Sequence, residues 1–138
     1  MAKRIRSAVM VYAILLVIAA VCILYYRLVG EQQTMIYGDY TLYRLSLCCM
    51  YPLLYGSLAA LIVELLQQAG ILRLPHKAKG ICLALAVLLI ALYAIVVALN
   101  VAGAAVLARY TLWLINCPQI FLVPGFLVGL ALHKNVPV

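Results

Sequence analysis

Few side chains in this sequence could carry acid, base or metal chemistry. The chain has three acidic residues and two histidines, which are Glu31, Asp39, Glu64, His76 and His133. An active site needs an acid, a base, a nucleophile or a metal ligand within reach of one another, and these five residues are scattered. Paired carboxylates, an HExxH sequence, a phosphate-binding glycine loop and a GxSxG sequence are missing. The sequence therefore predicts a protein that is not an enzyme, with no catalytic residue, metal site or cofactor.

Glu64 is the one acidic residue within an apolar part of the sequence. Burial of an unpaired charge is costly, so such carboxylates usually have a defined partner or a function. One interpretation is an ion pair with a basic residue expected at the same end of the molecule, which could be Arg4, Arg6, Lys77 or Lys79. The other is a site that binds a proton or a cation. Gln67 and Gln68 follow within one turn, which favours the ion pair.

The last apolar segment carries a second set of polar residues, Asn116 and Gln119, beside two prolines, Pro118 and Pro124. A proline removes a backbone donor and clashes with the carbonyl four residues earlier, so a helix here should bend or unwind. Broken helices form binding sites in transporters, whereas isolated amides often only bond to a neighbouring helix. Both interpretations stay open. The candidate transport or ligand residues are Glu64, Asn116, Gln119, Tyr51 and Tyr55.

Five cysteines also fall within or beside the apolar segments, at Cys22, Cys48, Cys49, Cys82 and Cys117. All except Cys82 are expected in the outer half of the molecule, which raises the possibility of thiol-redox chemistry. A CxxC pair is absent, however, and adjacent cysteines bridge poorly. Buried cysteine usually packs as a small hydrophobic residue, and we favour that interpretation.

The elements that must position these residues follow from composition. Hydrophobic residues make up 70% of the chain and charged residues only 9%, with a mean hydropathy of +1.20. A water-soluble domain of this size needs roughly a quarter of its residues charged. The composition therefore predicts an integral membrane protein, which we expect in the plasma membrane, as in a bacterial inner membrane.

Four apolar runs, at 8–26, 45–63, 80–99 and 110–132, each approach the ~20 residues that cross a bilayer as a helix. Continuous apolar runs without alternation exclude barrel strands. We predict a single all-α domain, 1–138, of four transmembrane helices in an antiparallel bundle, at about 8–28, 43–66, 79–100 and 108–132. An outer loop is expected at 29–41, and Leu74 and Pro75 are expected to end the second helix.

Basic residues predict the orientation, because lysine and arginine near helix ends are retained in the cytoplasm. One side has Lys3, Arg4, Arg6, Arg73, Lys77, Lys79 and Lys134. The other side has Arg27, Arg44 and Arg109, together with Glu31 and Asp39. Both termini are therefore predicted to be cytoplasmic. The net charge of +7 is a topology signal with some attraction for anionic lipid, and we expect no nucleic-acid partner.

Small residues are the clearest packing signal. The third helix carries them on one face, at Ala91, Ala94, Ala98 and Ala102. Gly125 and Gly129 form a GxxxG on the fourth helix, and Gly56 with Ala60 forms a weaker version on the second. Such faces allow two helix backbones to approach closely. The neighbour could be another helix of this chain, a second copy in a homo-oligomer or a membrane-protein partner.

Two proline-containing motifs also carry a resemblance, Met50-Tyr51-Pro52-Leu53 in the second helix and Cys117-Pro118-Gln119-Ile120 before the last helix. With four spans and a basic inner loop, the chain resembles uncharacterised small bacterial four-helix membrane proteins often encoded beside helix-turn-helix regulators. It departs from them by lacking their usual extension after the last helix. The resemblance implies the four-helix fold and carries no implication for activity.

Three functional hypotheses follow. The first is an accessory, regulatory or structural membrane subunit that acts through helix packing. The second is a small oligomeric transporter or channel protomer that uses Glu64 and the proline-broken fourth helix. The third is an outer-leaflet thiol-redox enzyme.

Overall fold

A computed structural model describes residues 2–38, 43, 46–102, 113 and 116–133, excepting the side chains of 2–7 and 100–101. Five α-helices account for most of this part of the chain: α1 (Ala2–Tyr25), α2 (Glu31–Tyr37), α3 (Tyr51–Gln68), α4 (His76–Val101) and α5 (Leu122–Leu132). Two short π-helical turns, Tyr26–Gly30 and Ser46–Met50, and one 3₁₀ turn, Pro118–Phe121, adjoin them. No strand occurs among the described residues, and the predicted all-α class is confirmed.

Three continuous helical stretches are long and apolar enough to cross a membrane. They are Ala8–Tyr37, Ser46–Gln68 and His76–Leu99. The fourth apolar stretch, Pro118–Leu132, is shorter. At 1.5 Å per residue it covers roughly 22 Å of a ~30 Å hydrocarbon core. Residues 108–112, which would begin the fourth predicted helix, lie outside the described residues.

The first helix is longer than the sequence indicates. The expected outer loop at 29–41 is helical as far as Tyr37, because α1 continues through the π turn into α2 with right-handed helical backbone at Tyr25, Gly30 and Glu31. Gly38 then adopts a left-handed conformation (φ 65°) and its amide donates to the Thr34 carbonyl at 3.0 Å. Left-handed glycine is the usual end of a helix, so polarity alone was a poor guide to this boundary.

The connection between α3 and α4 also differs from expectation. Helix α3 ends at Gln68, and Gly70 takes a left-handed conformation (φ 76°) that redirects the chain. The prediction that Leu74 and Pro75 end this helix was wrong. Pro75 lies instead directly before α4, where its carbonyl accepts the Lys79 amide at 3.3 Å. A proline is tolerated at a helix start because its missing N–H has no intrahelical partner there.

The fourth segment is interrupted beside Pro118, as the proline predicts. Cys117 has non-helical angles (φ −120°, ψ 63°), and a 3₁₀ turn leads into α5. Pro124 causes no second break, because it falls in the first turn of α5, where the proline ring fits.

Helices α3 and α5 form the centre of the bundle and run parallel to each other. Gly125 of α5 lies against Gly56, and Gly129 lies against Ala60 and Val63 further along α3. Helix α1 packs on α3 and helix α4 packs on α5, while α1 and α4 have no extensive contact with each other. The outer helices therefore flank a central parallel pair.

Candidate functional site

Glu64, in the last turns of α3, is buried with 4% of its surface exposed. The Nδ1 atom of His133 lies 3.1 Å and 3.2 Å from its two carboxylate oxygens, and the Gln68 side-chain amide donates to Oε1 at 3.3 Å. The contact with His133 is an ion pair when the imidazole is protonated. Because His133 directly follows α5, the parallel arrangement of α3 and α5 brings these two residues together from 69 positions apart.

Side chains from the two outer helices complete this cluster. The Lys79 ammonium of α4 donates a hydrogen bond to the backbone carbonyl of His133 and lies within electrostatic range of Glu64. The phenol of Tyr12, from α1, also lies within range of Glu64, and both Lys79 and Tyr12 are buried. We call Tyr12, Glu64, Gln67, Gln68, Lys79 and His133 the Glu64 cluster. It draws polar groups from all four helical segments to one end of the bundle.

Gln67 is the unusual member of the cluster. Its side chain is 6% exposed, and neither its amide nitrogen nor its amide oxygen has a hydrogen-bond partner among the described residues. A buried polar group without a partner costs about 1–3 kcal/mol. Glu64 and Gln67 are three residues apart and so are neighbours on one face of α3. A donor and an acceptor therefore stand unused beside the carboxylate.

The partners of Glu64 were only partly foreseen. Lys79, one of the four basic residues proposed, belongs to the cluster, whereas Lys77 is exposed. The side chains of Arg4 and Arg6 lie outside the described residues. His133 was counted among the scattered acidic residues and histidines and was assigned no role. Its position at the end of the last apolar segment, on the side where α3 also ends, was the available signal.

An apolar cavity of about 370 Å³ lies between the four helical segments. Its walls include Leu15 of α1, Leu53 of α3, Ile90 of α4 and Phe121 of the 3₁₀ turn. The cavity exists because α1 and α4 flank the central pair without closing over it. Tyr12 lines the cavity and also belongs to the Glu64 cluster, so an apolar space and a buried carboxylate share a wall.

The floor of the cavity depends on glycine. A Cβ atom built on Gly125 would lie 2.6 Å from the Cα of Gly56 and 2.8 Å from its carbonyl carbon. Built on Gly129, it would lie 3.0 Å from the Cα of Ala60. The two small-residue motifs of the second and fourth segments therefore pack on each other within one chain.

The alanine face of the third segment behaves differently. All four alanines are exposed: Ala91, Ala94 and Ala98 lie on α4, and Ala102 directly follows it. Helix α4 faces the rest of the chain through Lys79, Ala86 and Tyr93, and the Tyr93 ring meets that of Phe121 edge-on at 4.7 Å. These residues recur every two turns and lie about a third of a turn around the helix from the alanines. The alanine face therefore has no neighbour in the described part of the chain.

The remaining candidates do not join Glu64. Asn116 and Gln119 are exposed, and neither lines the cavity. Tyr51 and Tyr55 are half-buried, and Tyr51 bonds to the guanidinium of Arg27 at the opposite end of α3 from Glu64. No disulfide joins the five cysteines, of which Cys49 is exposed and the others half-buried. The described residues contain no group of His, Cys, Asp or Glu arranged to hold a metal ion.

Comparison of the chain with protein-family models, with curated proteins and with solved structures finds no match. The resemblance to small four-helix membrane proteins stays a prediction, and any functional conclusion must come from the Glu64 cluster and the cavity beside it.

Proposed function

We propose that this chain is a small multi-pass membrane transport protomer in which Glu64 alternately holds a proton or another cation. The observation that carries the proposal is the buried Glu64 carboxylate where all four helical segments meet, paired with His133 beside an open apolar cavity. Ionisable groups at such positions are expensive to bury and mark ion or substrate pathways in membrane proteins.

The chemistry of the pair supports an exchange role over a purely structural one. An ion pair made with lysine or arginine persists across the physiological pH range, whereas histidine gains and loses its charge within it. The contact with His133 supplies Glu64 with a counter-charge only while the imidazole is protonated. When His133 is neutral, the carboxylate can accept a proton or another cation.

The proposed orientation has four crossings with both termini in the cytoplasm, as the distribution of basic residues predicts. In this orientation the Glu64 cluster lies at the cytoplasmic end, beside the first turns of α1 that carry Lys3, Arg4 and Arg6. The surrounding positive charge favours anionic lipid at this face. Asn116 and Gln119 are then better placed for contacts outside the cavity than for substrate binding.

Reconstituted liposomes test the transport proposal. Glu64→Gln retains the size and hydrogen bonding of the side chain but removes its charge, and Glu31→Gln is the matched control at an exposed carboxylate of α2. Liposomes loaded with a pH-sensitive dye are challenged in turn with inorganic cations, small anions and small organic cations. We expect pH-coupled flux in the wild type and in Glu31→Gln, and none in Glu64→Gln. Equal flux in wild type and Glu64→Gln would refute the proposal.

A second candidate, an accessory subunit that packs on a membrane partner or on its own copy, is favoured by the exposed alanine face of α4. Leucine at Ala94 or Ala98 fills the space that a close neighbour needs, whereas tryptophan at Leu85, also exposed, changes another face of the same helix. The crosslinked product that the wild type forms in native membranes should disappear in the first two variants only. An unchanged pattern in all three variants would remove this candidate.

A further inference from the structure

We infer that the substrate is an amphipathic amine, whose hydrocarbon part occupies the apolar cavity and whose ammonium group replaces His133 as the partner of Glu64. This inference rests on the proposed function, since it names the class of cation that Glu64 exchanges. It also assigns a role to the cavity, which a site for inorganic cations would leave unused.

The cavity sets the apolar part of the ligand. Its volume of about 370 Å³ lies in the range of small-molecule sites, roughly 300–1,000 Å³. Its walls are hydrocarbon and aromatic side chains from every segment of the bundle, and it opens between α1 and α4. A molecule with a hydrocarbon or aromatic body fits this space, and a fully hydrated ion does not.

The Glu64 cluster sets the head group. Glu64 supplies one negative charge, Lys79 one positive charge, and His133 a second positive charge only when protonated. An anionic amphipathic ligand would place a second negative charge beside Glu64. A neutral one could not replace the charge of His133, so the carboxylate would stay paired with His133. An ammonium group offers the charge and the N–H donors that His133 supplies at present.

The exchange balances in charge and protons. The imidazolium of His133 loses one proton to water at the cytoplasmic end, and the neutral ring releases the carboxylate. The ammonium group of the ligand then donates its N–H to Glu64. One organic cation enters as one proton leaves, so the buried charge is the same before and after. No covalent bond in the ligand is broken.

Gln67 supplies the second contact that an ammonium group needs. Its side-chain oxygen is a buried acceptor without a partner in the part of the chain that the structure describes, and the residue neighbours Glu64 on α3. An ammonium group with several N–H donors can bond to both oxygens at once. The other charged or titratable members of the cluster are His133, Tyr12 on α1 and Lys79 on α4. The first turns of α1 also carry Lys3, Arg4 and Arg6, whose side chains lie outside the described residues.

Calorimetry on the purified full chain tests the inference with 4-phenylbutylamine as the probe. The neutral 4-phenylbutanol and the anionic 5-phenylvalerate are ligand controls. Titrations in two buffers of different ionisation enthalpy measure proton release. We expect the amine to bind and to release at most one proton per chain, from the imidazolium that it displaces at Glu64. Equal affinity for the alcohol and the amine would overturn the inference.

Variants separate the head-group site from the cavity. Glu64→Gln should weaken amine binding at least about thirtyfold, because it removes the charge that pairs with the ammonium. His133→Phe should bind without releasing a proton, whereas His76→Phe, at an exposed histidine, should release it as the wild type does. Ile90→Trp should weaken binding about tenfold by filling the cavity. Ile95→Trp, on the same helix but away from the cavity, should not.

The outcomes distinguish this inference from the transport proposal. Glu64-dependent flux of inorganic cations without amine binding would refute the amphipathic amine and leave the transport role standing. Amine binding that is unaffected by Glu64→Gln or that releases a proton in His133→Phe would also refute the inference. If the chain shows neither flux nor amine binding, both proposals fail.

Discussion

Replacing Gly125 with alanine tests whether the close approach of α3 and α5 holds the bundle together. The added Cβ would lie 2.6 Å from the Cα of Gly56, and the atoms it meets are backbone, which cannot rotate away. The helices must separate by about 1 Å to reach an ordinary contact distance of roughly 3.5–4.0 Å. Overpacking of this kind costs about 1–3 kcal/mol, and the upper end applies to a backbone clash.

Alanine also has a helix-propensity advantage over glycine of about 1 kcal/mol, so we expect a net loss of about 2 kcal/mol for Gly125→Ala. Gly129→Ala meets its neighbours at 3.0 Å and should lose less, about 1 kcal/mol. Gly80→Ala is the matched control in α4, where a Cβ has nothing within 4 Å. That variant should be unchanged or slightly more stable.

Reversible unfolding in mixed micelles, followed by circular dichroism, gives the three free energies on one scale. The expected order of stability is Gly80→Ala, then Gly129→Ala, then Gly125→Ala. If Gly125→Ala unfolds at the same denaturant concentration as Gly80→Ala, the two helices are not in backbone contact. The cavity floor described above would then be wrong as well.

Three further predictions concern the Glu64 cluster and the topology. Gln67→Leu should raise the free energy of unfolding by about 1 kcal/mol, because it removes a buried amide without a partner among the described residues. Gln68→Leu should not raise it, because that amide bonds to Glu64. Denaturant titration compares the two variants, and equal effects would contradict the prediction. His133→Phe should lower the free energy of unfolding by about 1–3 kcal/mol, because it leaves the buried Glu64 carboxylate without its partner. His76→Phe, at an exposed histidine, should not. Equal effects of the two variants would show that the contact between His133 and Glu64 does not stabilise the fold. Reporter tags at the two ends of the chain should map to the same side of the membrane, and opposite sides would exclude an even number of crossings.

Composition and the continuous apolar runs were sufficient for the helical class, because an apolar segment of this length satisfies its own backbone amides only as a helix. They were insufficient for the boundary after α1, where the polar residues Gln32 and Gln33 suggested a loop. Helix propensity is high for glutamine, and the chain meets no left-handed residue before Gly38. The polarity of these residues therefore did not predict their backbone conformation.

The site was harder to predict than the fold. Glu64 was identifiable as a carboxylate in an apolar segment, but its partner His133 depends on two helices that run parallel and touch through glycines. Small-residue spacing shows that a helix can be approached closely and does not show by which helix. Asn116 and Gln119 were chosen because they flank a proline, but both are exposed and neither lines the cavity.

The glycine contact between α3 and α5 also decides which parts of the molecule can move. Two helices whose backbones are in direct contact cannot slide or rotate past each other without a steric clash. The pair α3 and α5, which we call the spine, therefore moves as one rigid unit. Helices α1 and α4 rest on this spine through side chains, which can change rotamer, and they have no extensive contact with each other. Access to the interior is therefore expected to open and close at the seam between the outer helices, with the spine as the fixed reference.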